Sequence, residues 1–317
     1  MISRRDSSTI TDHAEEKVLT AHDLTAGDLL ATGTEAKVYA LNDEHVLKIY
    51  ADPGQRTALE TLADFYDRLD PDSVPYALPR IHHIEDHGSL LAVTERRLPG
   101  TPMSTACDLT SPEIERTYLQ AVRDLAALRL RVPLSRRMLL TTQPETDDAA
   151  ESDWNAFLRH LLNRRAPEVL PHLALDVPDI HHRIAAVLDR LMPPYTGTTG
   201  IIHGDLYPDN LLVAGSRVSA VIDFGTFTMI GDPLYDMAGA CAYYRMYDED
   251  RNGIRRRLLD LAGTPLSAPR RQQLIDYLHV IAVVSCDLYP QPQIHIRETG
   301  HYRWAVDVLN SPTDGTA

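Results

Sequence analysis

The chain has 317 residues, a net charge of −14, 44% apolar residues and 24% charged ones, a balance suited to a two-lobed enzyme or two modest domains with a real core. So acidic a chain argues against a nucleic-acid partner, because phosphate backbones are met by concentrated positive charge. It is compatible with a cationic small molecule, but general solubility is the plainer reading. No apolar run approaches the ~18 residues of a membrane span, and residues 1–25 form a polar N-terminal segment without a signal-type stretch. Cys107, Cys241 and Cys286 stand at unrelated spacings, which reads as reduced thiols and a cytoplasmic location rather than a disulfide framework. The basic residues are overwhelmingly arginine; the lysines are Lys17, Lys37 and Lys48.

In chain order, Lys37–Leu41 and His45–Tyr50 read as strands joined by the turn residues Asn42 and Asp43. Asp52-Pro53 is a cap-plus-proline helix start, and Leu59, Leu62, Tyr66 and Leu69 then follow on one helical face. Strand-like runs recur around Ile81 and over Leu90–Thr94. After Pro99-Gly100 the periodicity turns helical: from Ser111-Pro112 through Leu128, over Trp154–Arg164, over Ile180–Leu191, and with interruptions from Pro233 to about Asn310. Gln143–Ser152 reads as an acidic surface loop. The fold expected is α+β and bilobal: an N-terminal antiparallel sheet with one main helix over 26–98, then a mostly helical lobe over 99–317.

The chemistry concentrates in Ile201-Ile-His-Gly-Asp-Leu-Tyr-Pro-Asp-Asn-Leu-Leu-Val213 and Val218-Ser-Ala-Val-Ile-Asp-Phe-Gly225. Leu211–Val213 and Val218–Ile222 read as two strands of an antiparallel hairpin. Asn210, just before the first strand, and Asp223, just after the second, then share its open end, roughly 5 Å apart at the backbone. An amide oxygen and a carboxylate projecting together make a hard-oxygen site suited to Mg²⁺. Asp205, on a loop that Pro208 helps to fix, presents a second carboxylate. Phosphoryl transfer needs this set: charge neutralised, the phosphoryl group aligned, and a base for the proton of the incoming hydroxyl.

His203-Gly-Asp-x-x-x-x-Asn210 with Ile222-Asp-Phe-Gly225 resembles the catalytic and metal-binding loops of the eukaryotic-like, protein-kinase-like fold. Gly204, with Gly231-Asp-Pro-Leu-Tyr-Asp-Met-Ala238 close behind, resembles the aminoglycoside phosphotransferase and choline-kinase-like family. The resemblance spans roughly Ala31 to Ala240. It implies ATP as donor, with GTP not excluded, and the following roles. Asp236 ties down the catalytic loop and His203 supports it; Lys48 grips the α- and β-phosphates with Glu60 as its ion-pair partner. Backbone groups around Glu95–Arg97, in a hinge near residues 95–99, read the adenine edge, and Gly33–Tyr39 covers the nucleotide. Asp248, Glu249 and Asp250 are candidates to line the acceptor site, as acidic residues do in aminoglycoside-modifying relatives; a solvated helix end is the alternative.

Only Thr226–Ile230 separate Gly225 from Gly231, too short a link for the peptide platform of a protein kinase. The expected activity is therefore ATP-dependent O-phosphorylation of a small hydroxylated acceptor such as an aminoglycoside or other antibiotic, an amino sugar or an amino alcohol. The competing reading is a non-catalytic nucleotide-binding sensor or interaction module. His82-His83, His87 and His181-His182 have no cysteine partner and read as solvated histidines rather than zinc ligands. Oligomeric state is left open.

Overall fold

The computed structural model describes residues 4–33, 35–132, 137–140, 153–287 and 294–311; the expected loop over 143–152 lies outside them. Five strands, β1 (Leu29–Thr32), β2 (Ala36–Ala40), β3 (His45–Tyr50), β4 (Ile81–Asp86) and β5 (Leu91–Arg96), form an antiparallel sheet in the order β1-β2-β3-β5-β4. Strand alternation gives this sheet two apolar faces. Tyr50, Leu91 and Val93 join Leu59, Phe65 and Tyr66 in the main core, whereas Tyr39, Leu47, Ile49 and Ala92 form a second cluster on the other side. The first face is covered by helix α2 (Arg56–Arg68), which begins after a 3₁₀ turn capped by the Asp52 side chain.

The second face is covered by an element absent from the sequence reading. The N-terminal polar segment is a helix, α1 (Arg4–Ala21), whose Val18 and Leu19 complete the outer cluster. Its Glu15 is buried and accepts from the Tyr39 hydroxyl and from Lys37 Nζ, the latter at 2.7 Å. Polar residues dominate the segment, so two apolar side chains one turn from its end were too little periodicity to reveal an amphipathic helix.

Beyond a short strand, β6 (Thr101–Pro102), and a single helical turn, α3 (Met103–Ala106), the chain is mostly helical: α4 (Pro112–Leu125), α5 (Trp154–Leu173), α6 (Ile180–Arg190), α7 (Leu234–Tyr243), α8 (Arg251–Gly263), α9 (Ala268–Ser285) and α10 (Gly300–Asn310). Ser111 caps α4 and Asp153 caps α5 through main-chain N–H groups. α5 runs nine residues past the expected end, through Pro167 and Pro171, because Val169 and Leu173 are buried beyond them and packing outweighs the lost helical bonds. α9 is buried on every side over Tyr277–Val283 and packs on α5, α7 and α10. Short strands carry the loops of interest: β7 (Gly200–Ile202) pairs with β10 (Met229–Gly231), and β8 (Leu211–Ala214) pairs with β9 (Arg217–Val221) and β6. No described helix is long and apolar enough to cross a membrane.

If α1 is integral to the sheet, Leu19→Ala should cost about 2–4 kcal/mol and lower the melting temperature measured by circular dichroism. An unchanged transition would show that α1 contributes nothing to the stability of the first lobe.

Candidate active site

The loop after β7 is held by one carboxylate. Asp236, in the first turn of α7, accepts the main-chain N–H of His203 at 2.7 Å and of Gly204 at 2.8 Å, one on each oxygen. Burial raises its carboxyl to about 7 against the pull of those two amides. His203, wholly buried, accepts the Asp205 N–H on Nδ1 at 3.2 Å and faces the Ile222 carbonyl with Nε2 at 2.9 Å. A carbonyl accepts only, so Nε2 carries the hydrogen and the ring is neutral. Burial agrees, lowering its pKa to about 4. Gly204 adopts φ +84°, and a Cβ there would lie 2.4 Å from the Phe227 carbonyl oxygen. Glycine is required by both the left-handed backbone and the close approach. Thr228 closes the loop, donating to the His203 carbonyl at 3.2 Å and accepting the Gly225 N–H at 3.1 Å.

The β8–β9 ribbon brings Asn210 and Asp223 together. Leu211 pairs with Val221, and the Ile222 N–H reaches the Asn210 carbonyl at 3.0 Å, which places Asp223 immediately beyond, with φ 60°. Asn210 Nδ2 donates to the Asp205 carbonyl at 2.8 Å, leaving Oδ1 as the ligating atom of its amide. Lys48 reaches across the cleft from β3, its Nζ 3.3 Å from Asp223 Oδ1 and 3.0 Å from Glu95 Oε2. Burial alone would push the ammonium toward neutrality; the charges of Glu95 and Asp223 overcome that and hold its pKa well above the ordinary lysine range.

Two N-lobe expectations need correction. Glu60 does not meet Lys48: its carboxylate is 56% exposed and 3.6 Å from Arg56, one turn back on the outer side of α2. The partner is Glu95, which the sequence reading had assigned to the hinge through its backbone. Val46 lies opposite Glu95 in the β3–β5 ladder and Lys48 opposite Val93, so all four side chains share the cleft face and the acid meets the lysine diagonally. Leu91, Val93 and Glu95 alternate inward, so an acid on the apolar stripe of a strand was the available signal. Arg97 likewise does not offer a free hinge donor. Its N–H bonds the Glu44 carbonyl at 2.7 Å and its guanidinium the Asn42 carbonyl at 2.9 Å, while the Arg96 N–H bonds Arg80.

Asp205 sits beside Asn210 and Asp223, and burial, then the charge of Asp223, raises its carboxyl to about 6. Next to it lies a small cavity walled by Tyr207, Phe227, Tyr235, Tyr243 and Ile281, with Ser285 and His301 among its polar members. The rings of Tyr207 and Tyr243 stack at 4.7 Å. Asp248, Glu249 and Asp250 do not line this cavity: Asp248 pairs with Arg245 at 2.5 Å, and Glu249 and Asp250 are exposed at the start of α8. Sequence reasoning also missed the anchor behind the cavity. Buried Asp232 accepts from Arg270, from Tyr277 at 2.9 Å and from the Leu234 N–H at 3.0 Å. Its partners lie about forty residues on, where nothing in the linear spacing marks them.

A sequence profile of the phosphotransferase enzyme family matches residues 28–274. Curated relatives include homoserine kinases from Mesorhizobium japonicum, 29% identical over 213 residues (62% of this chain, 60% of the relative), and from Methylocella silvestris, 32% identical over 96 residues (28% and 30%). The chain thus spans 30% and 60% of the length of these two relatives. Among solved structures, aminoglycoside phosphotransferase APH(4)-Ia superposes with a TM-score of 0.61 at 19% identity, covering 96% of this chain and 99% of that one. Macrolide 2'-phosphotransferase MphH from Brachybacterium faecium gives 0.54 at 20% identity, covering 96% and 98%. With the profile matched over most of its length and the kinase-like fold shared from end to end, this chain belongs to the phosphotransferase enzyme family.

Proposed function

We propose that the protein transfers the γ-phosphoryl group of ATP to a hydroxyl of a small molecule. The observation that carries this reading is the convergence of Lys48 and Asp223 at 3.3 Å across the cleft, with Asn210 and Asp205 joined to the same loop by the amide–carbonyl bond at 2.8 Å.

The donor set fits a hard divalent cation. Asn210 Oδ1 and the half-exposed Asp223 carboxylate are oxygen ligands at one edge of the cleft, the chemistry that suits Mg²⁺. When bound there, Mg²⁺ offsets negative charge on the terminal phosphates. Lys48, kept cationic by Glu95, supplies the positive charge that holds the α- and β-phosphates. Asp205 orients the acceptor hydroxyl and takes its proton as the oxygen bonds to the γ-phosphorus. The bond from that phosphorus to the bridging oxygen breaks, and its electron pair leaves on ADP. His203 and Asp236 hold the loop on which Asp205 stands.

The acceptor's carbon frame packs on the aromatic wall of Tyr207, Phe227 and Tyr243. With Asp248, Glu249 and Asp250 away from that wall, Asp205 is the one acidic side chain among the described residues that line the cavity, less acid than a polycation would need. This favours an amino alcohol, or a single sugar hydroxyl of a larger antibiotic, presented ring-first. Homoserine, choline-like alcohols, macrolides and aminoglycosides, screened with ATP and with GTP for acceptor-stimulated release of nucleoside diphosphate, identify the acceptor. Nucleotide binding with no transfer to any of them would favour the sensor reading instead.

Asp205→Asn should lower kcat about 10²–10⁴-fold while nucleotide affinity is retained; turnover at the parental rate would remove Asp205 from the mechanism. Because the base must be ionised and its carboxyl is raised to about 6, kcat/KM should climb as pH rises through about 6 and level off above it. A pH profile flat from 5 to 8 would contradict that assignment. Glu95→Gln should reduce kcat/KM for ATP by roughly tenfold or more, since it leaves a buried ammonium short of one countercharge. Glu60→Gln should leave the value unchanged, and the reverse pattern in steady-state assays would restore the helix acid as the partner.

A further inference from the structure

Away from the cleft, on the face of the sheet covered by α1, three side chains from separate segments point at one another. His22 is the first residue after α1, and the helix ends there because Asp23 turns left-handed at φ 56°. Its main-chain N–H is bonded to Val18 and Leu19, so the imidazole springs from a fixed turn. Glu85 is in β4 opposite Ala92, a member of the outer cluster, and therefore projects to the same side. His87 follows two residues later, at the start of a turn in which Gly88 takes φ 76°. One ligand atom from each of the three lies within 4.8 Å of the others.

His22 Nε2 stands 3.6 Å from Glu85 Oε2, beyond hydrogen-bond range, and His87 Nε2 faces the same oxygen at 3.4 Å, a long hydrogen bond. Nitrogen and oxygen atoms held tetrahedrally about 2.0–2.2 Å from one zinc ion stand roughly 3.3–3.6 Å from each other. His22 Nε2 is also a buried atom with no hydrogen-bond partner among the described residues, within 4.8 Å of a ligand atom of each of the other two. His83 lies on the same side of β4, 3.5 Å from the other oxygen of Glu85. The histidine that sequence spacing had consigned to a solvated loop, His87, is only 24% exposed and sits in this cluster.

We propose that His22, Glu85 and His87 form a zinc site that fastens the end of α1 to the β4–β5 turn, with the fourth position taken by water. Two imidazoles and one carboxylate, borderline and hard ligands together, are the chemistry of Zn²⁺ rather than of Mg²⁺ or Ca²⁺. The site lies on the α1-covered face of the sheet, opposite the face that carries Lys48, so its role is to hold the lobe and not to take part in transfer.

The full-length protein is stripped with EDTA, exchanged into metal-free buffer containing Mg²⁺ to occupy the cleft, and titrated with Zn²⁺ against a chromophoric chelator. One equivalent should bind, the melting temperature should rise on its addition, and Co²⁺ in its place should give the intense visible bands of a tetrahedral centre. His87→Ala and Glu85→Gln, both changes at the rim that leave the packed core intact, should each abolish the equivalent and the thermal shift, with phosphotransfer at saturating ATP unaltered. No stoichiometric zinc, or an equivalent that survives both substitutions, would overturn the site and leave a histidine–carboxylate cluster without a metal.

Discussion

The ammonium of Lys48 lies between a carboxylate of its own sheet and one from the other lobe, and the cleft is organised around that arrangement. A lysine this enclosed would lose its proton in an apolar wall; two neighbouring negative charges make the cationic form the stable one. Each partner does something different. Glu95 is buried and rigid, one diagonal step away in the same β-ladder, so it fixes where the charge sits. Asp223 is half exposed at the mouth of a ribbon belonging to the second lobe, so its contact with Lys48 spans the cleft. In protein kinases the partner of this lysine comes from a helix whose position controls activity. Here α2 offers Leu59, Phe65 and Tyr66 to the sheet instead, and the acid paired with Lys48 stands on β5.

A second buried carboxylate performs the matching task below the cleft. Asp236 pairs with no cation among the described residues; two main-chain N–H groups of the loop after β7 satisfy it. Because both come from consecutive residues, the carboxylate fixes the direction of the chain as it enters Asp205, and His203 fixes it again from the other side by linking Asp205 to Ile222. Asp205 and the β8–β9 ribbon are thus positioned by one bonded circuit, with Asn210 closing it back to the Asp205 carbonyl.

How much of this was legible depended on whether each relation was local. The hairpin that joins Asn210 to Asp223 is a short, strongly patterned segment, and its two strands could be read directly from alternation and the glycine turn, whereas the bulge between Leu212 and Val213 that shifts their register could not. The sheet and the capped helices announced themselves in the same way. The partner of Lys48 could not be chosen by helical spacing, because Glu60 and Glu95 are both acids at reasonable places and only the β3–β5 register decides between them. α1 escaped because its contact rests on few apolar residues and on Glu15, a buried acid that reads as surface charge until Lys37 and Tyr39 are seen beside it. Asp232 with Arg270, and the walls of the cavity supplied by α9 and α10, are long-range pairings that no single segment encodes.

The short link between Gly225 and Gly231 does more than leave out a peptide platform. It turns back immediately: Thr228 bonds the His203 carbonyl, and Met229–Gly231 pair with β7. That return presses the Phe227 carbonyl against Gly204, so a side chain at 204 and this path of the link exclude each other. Phe227 and Met229 then become part of the wall beside Asp205. The segment that supports a polypeptide acceptor in protein kinases is here folded into the floor of a cavity whose remaining sides come from Tyr243, Ile281 and His301 on three C-terminal helices. Under the proposed function, the acceptor group would meet Asp205 between those helices and the link, so the backbone contact that requires glycine at 204 also shapes the cavity it enters.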